Sequence, residues 1–221
     1  MTLPSTASLL LTALTVASTT AWSAPAKPVR IQLFGDSTQW GYDARTDQPV
    51  AQPPVAVLQS AMDARFGAGA VLVTERAVPG TTSGQLLAGT DGRNRPWPGE
   101  VDADIVVVNH ALNDSNEHVP LAIYESQIAS LHPTVFETPN AITVDWPAAP
   151  YVAAMRKVAA AQHAPLADVD AWMRAQSNWK SLLSDDGLHP TQAGYREIVL
   201  KVLMPTLEPL VAEALQANGK R

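Results

Sequence analysis

The sequence predicts an α/β domain in which a mostly parallel central sheet lies between two layers of helices, a three-layer α/β/α sandwich. Strand-like apolar runs alternate with helix-like segments from residue 29 onward, and strands connected through helices pair in parallel by right-handed crossovers. The run at residues 105–108 is continuously β-branched, as expected of a central strand buried on both faces. A chain of 221 residues suits one such domain, which we place at residues 27–221.

Short apolar or β-branched runs carry the strand pattern. The first of them stops at Gly35, a residue type that commonly ends a strand. The predicted strands are residues 29–34, 71–74, 105–108, 134–136 and 166–169.

Longer segments carry the helical pattern. In the first of them the apolar residues share one face, and Pro54 suits a first helical turn. In the last, Pro205 is expected to bend or break the helix, because proline cannot donate a backbone hydrogen bond. The predicted helices are residues 54–66, 120–131, 151–162 and a C-terminal helix that starts near residue 191.

The N-terminal segment differs from the rest. Residues 9–17 are apolar but too few to span a bilayer, and Ala24-Pro25-Ala26 offers a cleavage site before the first charged residue, Lys27. We therefore interpret residues 1–26 as a secretory signal peptide, although no Lys or Arg precedes the apolar run. The prediction is an exported protein, periplasmic or secreted, without stable membrane insertion; the alternative is a disordered or membrane-associated extension.

Composition excludes several classes of function. The net charge of −6 and the absence of a Lys/Arg run argue against nucleic acid as a partner, since a phosphate backbone would be repelled. With no cysteine, disulfides, thiolate catalysis and cysteine-ligated metals are ruled out. The histidines lack the spacing of a zinc site, so no metal site is expected.

Residues suited to nucleophilic catalysis follow the first strand and precede the last helix. Ser37 comes directly after the first strand in Gly35-Asp36-Ser37, and a serine hydroxyl needs a neighbouring base to act as a nucleophile. His189 can be that base if a carboxylate orients its ring, and Asp186 lies three residues before it. Asp185 is the second choice for that carboxylate. Taken alone, each motif is more often an ordinary turn.

Two further motifs follow predicted strands and offer hydrogen-bond donors. Asn113 comes after the run at residues 105–108, where its amide could donate to a developing oxyanion. Gly80 follows the second strand and permits close approach of its backbone N–H to an acyl oxygen. The four motifs fall at the carboxyl ends of strands, the edge where ligands bind to open parallel sheets.

With these four blocks in order, the chain resembles the SGNH hydrolases, also called the GDSL esterase/lipase family, over residues 31 to about 200. The resemblance implies a flavodoxin-like sheet and a serine ester hydrolase without cofactor. It also implies roles for three residues: Ser37 as nucleophile, His189 as base and Asp186 as the acid that orients it.

The same resemblance implies an oxyanion hole formed by the Ser37 N–H, the Gly80 N–H and the Asn113 side chain. One position departs from the family pattern, because Ala111 stands where the third block usually has glycine. We expect the extra methyl group to be absorbed without displacing Asn113.

The substrate is less sharply defined. Trp40 and Trp97 are candidates for substrate contacts, and the absence of a long apolar lid segment favours short acyl esters, such as acetyl groups on carbohydrate, as a small-molecule or polysaccharide substrate. Alternatives are a thioesterase or lysophospholipase for longer acyl chains, and an inactive carbohydrate-binding module. A glycosidase that uses Asp102 with Asp104, or Asp185 with Asp186, is less well supported.

Overall fold

A computed structural model describes residues 27–97, 99 and 101–219, so the predicted signal peptide lies outside the described residues. Within them the strands are β1 Val29–Gly35, β2 Tyr42–Asp43, β3 Gln48–Pro49, β4 Val71–Glu75, β5 Ile105–Asn109, β6 Val135–Glu137 and β7 Leu166–Ala167. The α-helices are α1 Ser37–Trp40, α2 Pro54–Phe66, α3 Ser83–Ala88, α4 Leu112–Asn116, α5 Leu121–Leu131, α6 Ala148–Ala161, α7 Val169–Arg174, α8 Gln192–Ile198 and α9 Met204–Gly219.

The central sheet has five strands in the order β4-β1-β5-β6-β7, and every pairing within it is parallel. When the five strands are numbered by their sequence in the chain, this is the flavodoxin-like order 2-1-3-4-5. In that order the strand numbering reverses between the first and the third strand. β1 and β5 meet at that point, with Gly35 paired to Asn109 at their carboxyl ends. The predicted fold class is confirmed, and β2 with β3 forms a separate antiparallel pair.

Helices cover both faces of the sheet. On one face, β1 side chains such as Ile31 and Leu33 pack with α2 and the C-terminal helices in a continuous apolar cluster. On the other face, Phe34 and Val108 pack against residues of α3 and α5, and Phe136 packs against α5 and α6. Burial of this apolar surface is the main source of stability for such a sandwich. Within the described ranges, no helix combines the length and hydrophobicity that a membrane span requires.

Two predicted boundaries differ from the structure by two or more residues, and both differences have local reasons. The last strand was expected over residues 166–169 but ends at Ala167, because the side chain of Asp168 accepts a hydrogen bond from the Ala171 N–H and caps α7. The helix expected over residues 151–162 begins at Ala148, since Pro150 is tolerated in a first turn, where its missing N–H has no helical partner.

The C-terminal helix does not end at Pro205. Thr191 caps its start by accepting a hydrogen bond from the Gly194 N–H, and a π-helical stretch, Val199–Leu203, joins α8 to α9. Pro205 is the second residue of α9. The π-helical stretch directly before Pro205 is wider than an α-helix, and it makes room for the proline ring, which would otherwise clash with the preceding turn.

Candidate active site

The nucleophile candidate lies at the turn between β1 and α1. Gly35 ends β1, and a Cβ there would lie 2.6 Å from the carbonyl oxygen of Asn109, so only glycine fits. Asp36 is buried and caps α1, its Oδ1 accepting from both the N–H and the hydroxyl of Thr38 at 2.9 Å. These contacts hold Ser37, the first residue of α1, at the carboxyl edge of the sheet.

The structure brings Ser37, His189 and Asp186 together in one hydrogen-bonded chain. Ser37 Oγ lies 2.8 Å from His189 Nε2, and His189 Nδ1 lies 2.7 Å from Asp186 Oδ2. Both distances are within the range expected for a nucleophile, a base and the group that orients the base. Because a carboxylate can only accept, Nδ1 carries the proton in this arrangement and Nε2 is free to accept the Ser37 proton.

Asp186 is held as a carboxylate by donors around it. Burial alone would raise its pKa, but hydrogen bonds from His189, the Ser184 hydroxyl and two backbone N–H groups outweigh burial and lower the pKa to about 2. Its Oδ1 accepts from Ser184 Oγ at 2.7 Å and from the Leu188 N–H at 2.9 Å. Asp185, the second choice for this role, is exposed and is not part of the hydrogen-bonded series that joins Ser37, His189 and Asp186.

The loop that carries Asp186 and His189 is tied to the rest of the fold. Gly187 has a φ of +67°, and a Cβ there would lie 2.2 Å from Thr143 Oγ1, so glycine is required at this position. The Thr143 N–H donates to the Gly187 carbonyl at 2.8 Å, and the Ser184 N–H donates to the His189 carbonyl at 2.8 Å. These two hydrogen bonds fix the backbone of the loop at Gly187 and His189, and they thereby position the imidazole of His189.

The predicted oxyanion donors come from three segments near this edge. Among the described residues, the backbone N–H groups of Ser37 and Gly80 have no hydrogen-bond acceptor. Asn113 Nδ2 donates one hydrogen to the Thr81 carbonyl at 3.1 Å, which leaves its second hydrogen for another acceptor. That bond also fixes the Asn113 side chain to the segment next to Gly80.

Ala111 is accommodated by the core. It is fully buried, and its methyl group belongs to the apolar cluster that includes Tyr124, Phe136 and Met155. The following helix, α4, is anchored by Asp114, whose carboxylate accepts from Ser83 Oγ at 2.6 Å. The methyl group therefore fills core space, while Asn113 keeps its bond to Thr81.

Of the two tryptophans expected to contact substrate, only Trp40 is connected to this site by ring contacts. Its ring lies 6.4 Å from that of Tyr42, and the Tyr42 ring lies 4.6 Å from the imidazole of His189. Trp97 instead packs edge-on against Phe34, with ring centroids 5.2 Å apart, so its substrate contact stays a prediction. The only sequence signal for Tyr42 is its place shortly after Ser37.

The carboxylates of Asp102 and Asp104 lie away from this site. Both residues precede β5, and they pair with Arg30 near the start of β1. They therefore mark the amino ends of the parallel strands, the edge opposite Ser37. A glycosidase that used Asp102 and Asp104 would therefore have its carboxylates at a different edge of the sheet from the other candidate residues.

Replacing Asn113 with alanine is expected to lower kcat by about 100-fold, because one donor to the developing oxyanion is lost. KM should change little, since the ground-state carbonyl depends less on this bond. Steady-state kinetics on p-nitrophenyl acetate measures both constants. Asn116→Ala, an exposed asparagine at the end of the same helix, is the matched control. An N113A variant as active as N116A would remove Asn113 from the oxyanion hole.

A buried glutamate near this edge predicts a pH-dependent stability. Burial raises the pKa of Glu137, at the end of β6, from 4.5 to about 8. Between those pH values Glu137 is ionised in the unfolded chain but protonated in the folded one. The contribution of Glu137 to stability is therefore largest below pH 4.5 and is lost as pH rises towards 8.

Glu137→Gln cannot ionise and is expected to lack this loss. From pH 5 to pH 8 the wild type should lose roughly 3 kcal/mol of unfolding free energy relative to E137Q. Urea unfolding of both proteins at the two pH values measures the difference. Equal losses in the two proteins would show that Glu137 titrates normally.

Comparisons with known proteins identify the family and the fold of the chain. The sequence model of the GDSL-like Lipase/Acylhydrolase family matches residues 33–197. Similar solved structures include the lipase/acylhydrolase from Enterococcus faecalis, with 23% identity, a TM-score of 0.62 and coverage of 87% of this chain and 96% of that one. Another is an acetylxylan esterase from Geobacillus stearothermophilus, with 17% identity, a TM-score of 0.63 and coverage of 84% and 96%.

A third similar structure is an alpha/beta hydrolase enzyme from the metagenome of Lake Arreo, Spain, with 20% identity, a TM-score of 0.61 and coverage of 81% of this chain and 95% of that one. No curated protein sequence matches the chain at a significant level. At these identities the solved structures establish the fold, and the family follows from the sequence match over residues 33–197.

Proposed function

Because the chain belongs to the GDSL-like lipase/acylhydrolase family, and is thus a serine ester hydrolase of the SGNH type, we propose that it cleaves short acyl esters, above all acetyl esters of carbohydrate. The reaction proceeds through an acyl-enzyme on Ser37. The observation that carries this proposal is the hydrogen-bonded chain from Ser37 Oγ through His189 to Asp186, at 2.8 Å and 2.7 Å.

In the first half of the reaction, Ser37 Oγ attacks the ester carbonyl carbon while its proton passes to His189 Nε2. The carbonyl oxygen becomes an oxyanion, which accepts hydrogen bonds from the N–H groups of Ser37 and Gly80 and from Asn113. As the oxyanion collapses, the bond to the leaving alkoxy group breaks and His189 donates its proton to that oxygen. The products are a free alcohol and an acyl ester on Ser37.

In the second half, a water molecule takes the place of the alcohol. His189 accepts a proton from that water, whose oxygen attacks the acyl carbon and again forms an oxyanion in the same hole. Collapse releases the carboxylic acid and returns the proton to Ser37 Oγ. Asp186 stabilises the imidazolium in both halves through its bond to Nδ1, and it can do so because its pKa of about 2 keeps it ionised.

The aromatic residues beside the base support a carbohydrate ester as substrate. Tyr42 lies against His189, and Trp40 lies next to Tyr42, and both rings are half-buried. Aromatic rings with an exposed side can pack against the apolar face of a sugar. One of the similar structures is described as an acetylxylan esterase, which is compatible with this substrate class. The alternative, a lipase-like or thioesterase activity on longer acyl chains, is compatible with the family description.

A series of p-nitrophenyl esters from acetyl to palmitoyl separates these substrate classes. We expect the highest kcat/KM for the acetyl or butyryl ester and a decrease of at least about 10-fold by the octanoyl ester, because hydrophobic discrimination of acyl length is worth a factor of this order. Acetylated xylan and a lysophospholipid are the natural-type substrates to assay beside them. A maximum at octanoyl or longer would favour the alternative.

We also propose that the enzyme is exported, on the basis of the apolar run at residues 9–17 and the Ala24-Pro25-Ala26 segment. Expression of the full chain in a bacterial host, followed by cell fractionation and N-terminal sequencing, tests this. A mature protein that begins near Lys27 in the periplasm or medium is expected. Retention of Met1 on a protein in the cytoplasm would contradict export.

A further inference from the structure

Four buried polar side chains surround a small cavity beneath the segment that bears Ser37. Gln39, Asn109, Glu137 and Asn140 all line it, and each is at most 4% exposed. They come from α1, from the ends of β5 and β6, and from the loop after β6. The volume open to the centre of a water molecule is about 10 Å³, which is close to what one water needs.

Each of these side chains has one buried polar atom without a hydrogen-bond partner among the described residues. The four atoms are Gln39 Nε2, Asn109 Oδ1, Glu137 Oε2 and Asn140 Oδ1. The rest of the wall is largely apolar, with Pro54, Val169 and Ile198 among its residues. Buried polar atoms in proteins nearly always have a hydrogen-bond partner, either protein or ordered water. Four such atoms at one cavity therefore point to a common ligand.

The other hydrogen bonds of these side chains fix which atoms act as donors and acceptors. Asn140 Nδ2 donates to the carbonyls of Ala141 at 3.0 Å and Leu188 at 2.8 Å, so its Oδ1 remains as an acceptor. Asn109 Oδ1 is also buried without a hydrogen-bond partner among the described residues, and it is a second acceptor.

Two donors face these two acceptors. Gln39 offers an amide N–H. Burial raises the pKa of Glu137 to about 8, so at neutral pH its carboxyl group is protonated and Oε2 can donate. Two donors and two acceptors match the four hydrogen bonds of one water molecule. A metal cation does not suit the site, because two of the four groups would point hydrogens at it.

We propose that the cavity formed by Gln39, Asn109, Glu137 and Asn140 binds one water molecule, which links the helix bearing Ser37 to the loop bearing His189. The water donates to Asn109 and Asn140 and accepts from Gln39 and Glu137. Gln39 lies in α1 with Ser37, and Asn140 holds the carbonyl of Leu188, the residue before His189. Glu137 is then a positioning residue, and this part of the inference rests on the proposed roles of Ser37 and His189.

A crystal structure of the wild type at about 1.5 Å resolution tests the site itself, whatever the reaction. We expect one ordered water within 2.7–3.2 Å of all four atoms. Three results would overturn the proposal. They are side chains that rotate to pair directly with one another, a cavity without an ordered water, and a cation with shorter contacts and more ligands. This result does not depend on whether Ser37 is the nucleophile, so the two proposals fail separately.

Variants at Glu137 test what the water does for the reaction. Glu137→Met removes the donor while keeping a similar length, and we expect kcat to fall by about 10-fold with KM nearly unchanged, since a small misplacement of reacting groups is costly. Glu137→Gln keeps a donor at the same place and should restore most of that loss. Glu213→Met, at an exposed position in α9, is the control. Near-UV circular dichroism and thermal unfolding establish that each variant is folded.

A pH profile separates this role from a simple packing role. The groups that face Glu137 are Asp36, whose charge acts on it, and Tyr195 across the cavity, whose pKa burial raises well above 10; the other lining residues carry no charge. As Glu137 ionises near pH 8, the wild type loses a donor and kcat should fall, whereas E137Q should lack that fall. Identical profiles, or an E137Q as impaired as E137M, would overturn the positioning role.

Discussion

Replacing Ser37 with alanine is expected to lower kcat by about 100,000-fold, because the atom that forms the acyl-enzyme is removed. The fold should be unaffected. The Ser37 hydroxyl bonds to His189, while the turn around it is held by Gly35 and by the contacts of Asp36 with Thr38. KM for p-nitrophenyl acetate should therefore stay within a few-fold of the wild-type value.

Ser130→Ala is the control for the Ser37 variant, since it removes an exposed serine hydroxyl in α5. Its kcat is expected to equal that of the wild type. Thermal unfolding of both variants tests whether the loss is chemical rather than structural. If S37A retained more than a few per cent of the wild-type kcat while S130A was fully active, an acyl-enzyme on Ser37 would be excluded.

The second large effect is expected for Asp186→Asn, with a decrease in kcat of about 10,000-fold. An amide at this position can place a donor towards His189 Nδ1, and the ring would then expose a protonated Nε2 to Ser37. Such a ring cannot accept the serine proton. The substitution also removes the charge that stabilises the imidazolium, a charge that the pKa of about 2 maintains at ordinary pH.

Asp185→Asn tests whether the neighbouring carboxylate matters. Asp185 is exposed, so its substitution should leave kcat within about twofold, as is usual for surface changes. Stopped assays with a sensitive chromogenic ester cover the range between the two variants. A D185N variant as impaired as D186N would mean that Asp186 is not the only carboxylate on which catalysis depends.

The parts of the fold that sequence predicts best are those where local pattern and burial agree. The helix at residues 54–66 was predicted with the bounds that the structure has, and the β-branched run at residues 105–108 became the central strand β5. Boundaries failed where one side chain decided the outcome. Asp168 ends β7 by capping the next helix, although a short polar residue before a helix was visible in the sequence.

Within the candidate site, the residues that carry chemistry could be predicted because they belong to short motifs at strand ends. Ser37 and His189 are far apart in the chain, yet both meet at the edge where parallel strands end. The ring contact of Tyr42 with His189 could not be predicted, because it depends on how two loops pack. The same holds for Glu137, because its burial beside a cavity that Asn109 and Tyr195 also line is a tertiary property.

The measurement that tests the central claim most directly is covalent labelling with an alkyl fluorophosphonate, followed by mass spectrometry of the digested protein. In this reaction a serine oxygen activated by a base displaces fluoride from phosphorus. We predict one label per molecule, on the peptide that contains Ser37, with activity lost in proportion and no labelling of S37A. Complete inhibition with the label on another residue, or full activity after Ser37 has been labelled, would contradict Ser37 as the nucleophile.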